Sequence, residues 1–131
     1  MGNLSAWSPR VLSLLRIVTA ACFMLHGSMK LLQFPAAGPG GGGELPPLML
    51  VAGLLELVGG GFVLIGLFTR PVAFVLSGLM AAAYFMAHAP QGLYPVLNQG
   101  ESAVLFCWIF FYLVFAGPGP WSLDALVRKR A

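Results

Sequence analysis

Hydrophobic residues fall along this chain in four long runs, separated by short stretches rich in glycine, proline and polar side chains. The runs extend from Val11 to Leu32, Pro47 to Phe68, Pro71 to Ala89 and Gly100 to Ala116. Each is near-continuous Leu, Val, Ala, Phe and Met, without the two-residue alternation that a membrane strand requires. About 20 mostly apolar residues let a helix cross a hydrocarbon layer roughly 30 Å thick. Backbone groups in lipid must be satisfied within a helix or a closed barrel. The pattern therefore predicts an all-α fold, an integral membrane four-helix bundle that crosses the bilayer four times. Pro47 and Pro71 stand at first-turn positions, where a missing N–H costs nothing. Asn98-Gln99-Gly100 leads into the fourth run as a capping stretch, and Gly117-Pro118-Gly119-Pro120 stops it.

The connections set the topology. Phe68-Thr69-Arg70-Pro71 leaves room only for a tight turn, so the second and third helices are predicted as antiparallel neighbours. The linker from Pro35 to Pro46 holds a glycine run but no following Lys-Ser/Thr pair and no preceding strand. It reads as a flexible outer loop and not as a phosphate-binding one. Gly53, Gly59, Gly60 and Gly61 in the second run, and Ser77, Gly78, Ala81 and Ala82 in the third, are expected to mark helix contacts.

Composition supports a lipid-embedded chain. Hydrophobic residues make up 59% and charged residues 8%, where a soluble domain carries about 25% charged. A length of 131 residues allows one domain, residues 1–131. The net charge of +3 is scattered apart from Arg128-Lys129-Arg130, which reads as a membrane-orienting flank, so the lipid bilayer and no nucleic acid is the expected partner. Arg10 and Arg16 precede an apolar stretch as in a signal peptide, but three further spans favour an uncleaved helix. An even number of crossings puts both termini on one side, with Arg10, the Arg70 turn and the basic tail. The opposite side holds Lys30, Glu44 and the loop from Tyr94 to Gln99. The positive-inside rule then makes both termini cytoplasmic in a bacterial inner membrane, and Trp7, Trp121 and Tyr94 fall where interfacial aromatics belong. Cys22 and Cys107 lie in apolar runs and form no Cys-x-x-Cys pair, so no disulfide framework or metal site is expected.

Candidate chemistry rests on the polar residues inside the runs, because a charge at membrane depth costs a few kcal/mol and needs a partner or a purpose. His26 and Lys30, four residues apart, share one face of the first helix near its outer end. Glu56 lies near the middle of the second helix, His88 at the outer end of the third, and Asn98 and Glu101 at the start of the fourth. Two readings stand. In one these groups are interhelical glue, with Glu56 paired to His26 or Lys30 and Glu101 complementing a helix dipole. In the other His26, Lys30, Glu56, His88, Asn98 and Glu101 converge on an outward cavity that binds a quinone headgroup or relays protons. The aromatic run Phe106, Trp108, Phe110, Phe111, Tyr112 and Phe115 fits either a quinone slot or packing and lipid contact. No redox motif, nucleotide fingerprint or haem-attachment signature is present in the sequence.

In order along the chain stand Arg16, His26-Gly27 with Lys30, Glu56-Leu57 with Gly59-Gly60, Gly66-Leu67-Phe68-Thr69-Arg70, Asn98 with Gly100-Glu101, and Gly117-Pro118-Gly119-Pro120-Trp121-Ser122-Leu123-Asp124. This ordered set resembles the DoxX family from Arg16 to Asp124, leaving out the glycine linker and the first few residues. The resemblance implies a four-helix inner-membrane protein. Some relatives are subunits of a thiosulfate-oxidising, quinone-reducing complex, and others associate with oxidoreductases or stress-response proteins. It carries over His26, Lys30, Glu56, Asn98 and Glu101 as candidate positions; His88 joins them by location. Two roles follow: an accessory subunit of a larger respiratory or photosynthetic membrane complex, or a quinone-linked subunit with its own site. A homo-oligomeric transporter is a third, without an internal repeat to support it.

Overall fold

The computed structural model describes residues 2–38 and 41–130, the side chain of Arg130 excepted. After a 3-10 turn at Leu4–Trp7, helix α1 runs over Ser8–Leu31. The second rod consists of α2 (Pro47–Leu54), a π turn (Leu55–Gly59) and α3 (Gly60–Ile65). The third consists of α4 (Thr69–Ala83), a π turn (Tyr84–His88) and a 3-10 turn (Ala89–Gln91). Helix α5 spans Glu101–Ala116, and a short α6 spans Leu123–Arg130. Leu4–Leu31, Pro47–Ile65 and Thr69–Gln91 are long and apolar enough to cross a membrane, and Glu101–Ala116 is a shorter apolar helix. At 1.5 Å per residue that fourth helix reaches about 24 Å. Among the described residues there is no strand, and the protein is an all-helical, multi-pass membrane protein whose outer surface contacts lipid.

Several element boundaries differ from the pattern. Helix α1 starts at Ser8, because Pro9 in its first turn is already compatible with helix. The second rod ends at Ile65 and not at Phe68, because Gly66 takes a left-handed φ of 71° and closes α3. Helix α4 then starts at Thr69, two residues before Pro71. The basic tail is helical, which hydrophobic runs alone do not reveal.

The core is small. Ala20, Phe23, Val63, Ala73, Leu76, Phe110 and Leu113 have no solvent exposure. Phe23 meets Phe110 edge-on at a centroid distance of 4.8 Å, a favoured aromatic geometry. Ser77 Oγ donates to the Cys107 carbonyl at 2.8 Å, joining α4 to α5. Large apolar side chains such as Val18, Val58, Phe74, Trp108 and Phe115 point outward, a surface that water would not tolerate and lipid does. Glycines set the helix contacts, but only some of the expected ones. A Cβ on Gly27 would lie 2.8 Å from both the Gly53 carbonyl and the Leu57 amide, so α1 and the second rod touch backbone to backbone. Gly59 and Gly60 sit against Leu76 and Met24. Gly78 has open space around it and Ala82 is exposed, so that part of the expected contact face looks outward instead.

The end of the bundle that holds the termini is held by a polar clasp. Arg16, 1% exposed, donates from Nη1 to the Pro118 carbonyl and from Nη2 to the carbonyls of Trp121 at 2.6 Å and Leu64 at 3.4 Å. Ser13 Oγ accepts from the Trp121 amide at 3.1 Å. Asp124 accepts from the amides of Phe68 at 2.8 Å and Thr69 at 2.9 Å, and so caps α4 from a distant part of the chain. Arg70 Nη1 donates to the carbonyls of Val114 at 2.8 Å and Phe115 at 2.6 Å, satisfying the C-terminal end of α5. Partial burial pushes the Asp124 carboxyl upward, but the Thr69 and Phe68 N–H groups, together with the Thr69 side chain and the charge of Arg128, outweigh it and hold the group below its ordinary value of 3.8.

Two stability measurements check this packing. Gly27→Val forces α1 off the second rod and is expected to lower stability by about 1–3 kcal/mol, read as a fall in the thermal midpoint in detergent. Gly78→Val is expected to leave it unchanged, and equal shifts for the two variants would contradict the contact described. The depressed Asp124 group gives stability that is fully present above 3.8 and is lost as pH falls through the folded value. Asp124→Ala should cost about 0.5–2 kcal/mol at neutral pH and should flatten this acid-side loss in thermal melts.

Candidate functional site

The close approach of α1 and the second rod explains where the buried charges go. Across the interface Gly27 stands opposite Glu56, whose Cβ would be 3.0 Å from a Cβ on Gly27. Gly53 likewise stands opposite Lys30, at 3.3 Å by the same measure. Each long polar side chain faces a glycine on the other helix, which leaves it space to lie along the seam. Lys30 Nζ reaches both oxygens of Glu56, each at 2.7 Å. The side chains are 12% and 4% exposed, so the pair is nearly closed. Glu56 lies within the π turn Leu55–Gly59. Such turns carry one extra residue and recur at functional positions.

His26 is drawn elsewhere. Although one turn from Lys30 on α1, it is exposed on the bundle surface, and its ring meets Phe106 of α5 edge-on at 5.6 Å. Of the two partners expected for Glu56, the structure therefore supplies Lys30.

His88 and Asn98 form a second cluster. Asn98 is 1% exposed. Its Nδ2 donates to the Gly92 carbonyl at 2.9 Å and to Tyr84 Oη at 3.3 Å, and its Oδ1 accepts from the Gly100 amide at 2.9 Å. The Asn98 carbonyl accepts from His88 Nδ1 at 3.0 Å, so Nδ1 must carry a proton. The Tyr84 ring occupies the space a Cβ on Gly100 would need, which fixes glycine there. These bonds tie the π turn Tyr84–His88 to the loop that enters α5. Glu101 is exposed in the first turn of α5, where it complements the helix dipole. Among the described residues no hydrogen bond or ion pair links the Lys30–Glu56 pair to the His88–Asn98 cluster. Nor does any group of three or more His, Cys, Asp or Glu among them stand close enough to hold a metal ion.

Arg16 and Arg70, by sequence flanking charges and members of the ordered motif set, are both parts of the clasp. The available signal was the repeated Gly-Pro pair before Trp121, which turns the chain back over Arg16. Cavities of about 540 Å³, beside Arg70 and Arg128, and about 460 Å³, beside Trp121 and Leu126, lie at this end and not beside Glu56.

Removing one member of a buried pair leaves the other charge uncompensated. Lys30→Met and Glu56→Gln are each expected to destabilise the protein by about 3–5 kcal/mol. The double variant should recover most of that loss in a double-mutant cycle measured by unfolding in detergent. Additive losses would mean that the two groups act separately.

Three comparisons bear on identity. An uncharacterized protein of Haemophilus influenzae is 47% identical over 134 residues, covering 99% of this chain and 100% of the relative. An uncharacterized membrane protein of Mycobacterium tuberculosis is 27% identical over 143 residues, covering 98% of this chain and 88% of the relative. No solved structure matches the chain. The DoxX family profile matches residues 11–89, more than half of the sequence. With its apolar helices and its ordered motifs, the chain belongs to the DoxX family.

Proposed function

We propose that this protein is a small accessory subunit of a larger respiratory or photosynthetic oxidoreductase in a bacterial inner membrane. On this reading residues 1–131 form one membrane domain that crosses four times, with both termini cytoplasmic. The observation that carries the accessory role is the closed Lys30–Glu56 pair, whose side chains keep only 12% and 4% exposure. Two charges that bind each other this fully hold helices together and leave little for a substrate. The exposed aromatics Trp108, Tyr112 and Phe115 along α5 offer a rigid apolar face to a neighbouring subunit. Sidedness is supported by charge. Of the seven Lys and Arg residues, Arg10, Arg16, Arg70, Arg128, Lys129 and Arg130 belong to the end that carries the termini. The redox association comes from the family resemblance.

A second reading has its own observation. His26 is exposed beside Phe106, on the face of α1 that also carries Lys30, and an imidazole there is within reach of a quinone headgroup seated between α1 and α5.

Pull-down of the tagged protein in mild detergent, with mass spectrometry of partners and extraction of lipids, separates the two. The accessory role predicts a stoichiometric partner that carries haem, flavin, iron–sulfur or pigment, retained in His26→Ala. Bound quinone that disappears in His26→Ala, with no such partner, would transfer the assignment to the quinone site. A second copy of this chain as sole partner, without quinone, would sink both.

A further inference from the structure

The cavity of about 540 Å³ at the clasp end lies where α1 begins, α5 ends and α6 crosses. Ser8 and Leu12 of α1, Tyr112 of α5, the Pro118 segment, Arg70 of α4 and Arg128 of α6 line it. These are helix ends, so the cavity sits at the level where hydrocarbon gives way to headgroups.

Its chemistry is mixed in a particular way. Two arginines stand on the wall, and the hydroxyls of Ser8 and Tyr112 add donors. Arg70 is held in place by the two carbonyls that accept from Nη1. None of the hydrogen bonds among the described residues uses its Nη2 or Nε, so a fixed guanidinium keeps N–H donors for a further acceptor. Asp124, the acid of the clasp, accepts from the Phe68 and Thr69 amides and lies one helical turn before Arg128 on α6, so it also feels that charge. From Tyr112 the exposed side chains of Trp108 and Leu105 continue along the same face of α5 at helical spacing. On α1, Leu15 lies one turn beyond Leu12 and is also exposed. A basic mouth thus opens onto an apolar track that runs along α5 away from the helix ends.

We propose that this cavity binds the phosphate diester of an anionic phospholipid, with Arg70 and Arg128 on the phosphate and an acyl chain along the Tyr112–Trp108–Leu105 track. A soluble phosphate would satisfy the arginines but would leave the track unused, and a neutral zwitterionic lipid brings an ammonium next to two guanidiniums. The assignment does not depend on whether the protein serves a larger complex.

Native mass spectrometry of the full chain in neutral detergent, with equal amounts of phosphatidylglycerol and phosphatidylcholine of matched acyl chains, tests it. Phosphatidylglycerol should be retained preferentially. Arg128→Gln should reduce that preference about five-fold, while the neighbouring Lys129→Gln, which removes the same charge from α6 outside the cavity, should leave it unchanged. Arg70→Gln should act in the same direction, but it also frees the end of α5, so Arg128→Gln with an unchanged thermal midpoint is the decisive variant. Equal retention of both lipids overturns the proposal. So does an equal effect of Arg128→Gln and Lys129→Gln, which would mean diffuse surface charge. Thermal stabilisation by inorganic phosphate that requires Arg128, without lipid preference, would reassign the cavity to a soluble anion and overturn the lipid assignment.

Discussion

A guanidinium inside an apolar bundle has to find acceptors, and much of this structure is arranged around how Arg16 finds them. Its acceptors are backbone carbonyls, from Pro118, Trp121 and Leu64. A hydrogen bond to a charged group contributes about 1.5–3 kcal/mol, and a charge without partners would not stay at this depth. The chain after α5 is therefore drawn back across the bundle end. That return brings Asp124 over the start of α4 and places the Trp121 amide on Ser13. Glycine is required where the returning segment passes closest: a side chain at Gly66 or Gly119 would collide with Ser122 or Ser13.

The opposite end solves the same problem with side chains. There the charge of Lys30 is matched by Glu56, through contact distances that exist only because Gly27 and Gly53 let the two backbones meet. The two ends thus differ in kind. One buries a cation in backbone carbonyls and keeps other arginines at its surface. The other closes a neutral pair and leaves an imidazole outside. Six of the seven Lys and Arg residues thus stand at one end of the bundle.

Much of this was legible in the order of residues. Four apolar runs correspond to the helical rods, and Pro47 and the Gly117–Pro120 segment mark a real start and stop, whereas the stop at Gly66 lay hidden inside an apolar run. The pairing of Glu56 with a basic group of α1 was also visible, as one of two choices. The choice itself was not, since His26 and Lys30 share a helix face by spacing, and only the crossing at Gly27 decides which of them turns inward. The roles of Arg16, Arg70 and Asp124 were hidden for a different reason. Each bonds to main-chain groups far away in sequence, and a backbone carbonyl or amide carries no residue-type signature. Gly78 shows the converse, a small residue that suggests a contact and faces outward.

The π turn at Leu55–Gly59 has a consequence for comparing lengths within this rod. One residue more than an α-helix needs shifts everything beyond it by about 100° around the axis, the angle of one residue at 3.6 per turn. The faces of α2 and α3 are therefore set out of phase by the insertion. A one-residue gap here in a related chain would denote no missing loop. It would denote a rod whose lower half has rotated, presenting a different stripe to α1 and α4 while its ends stay in place.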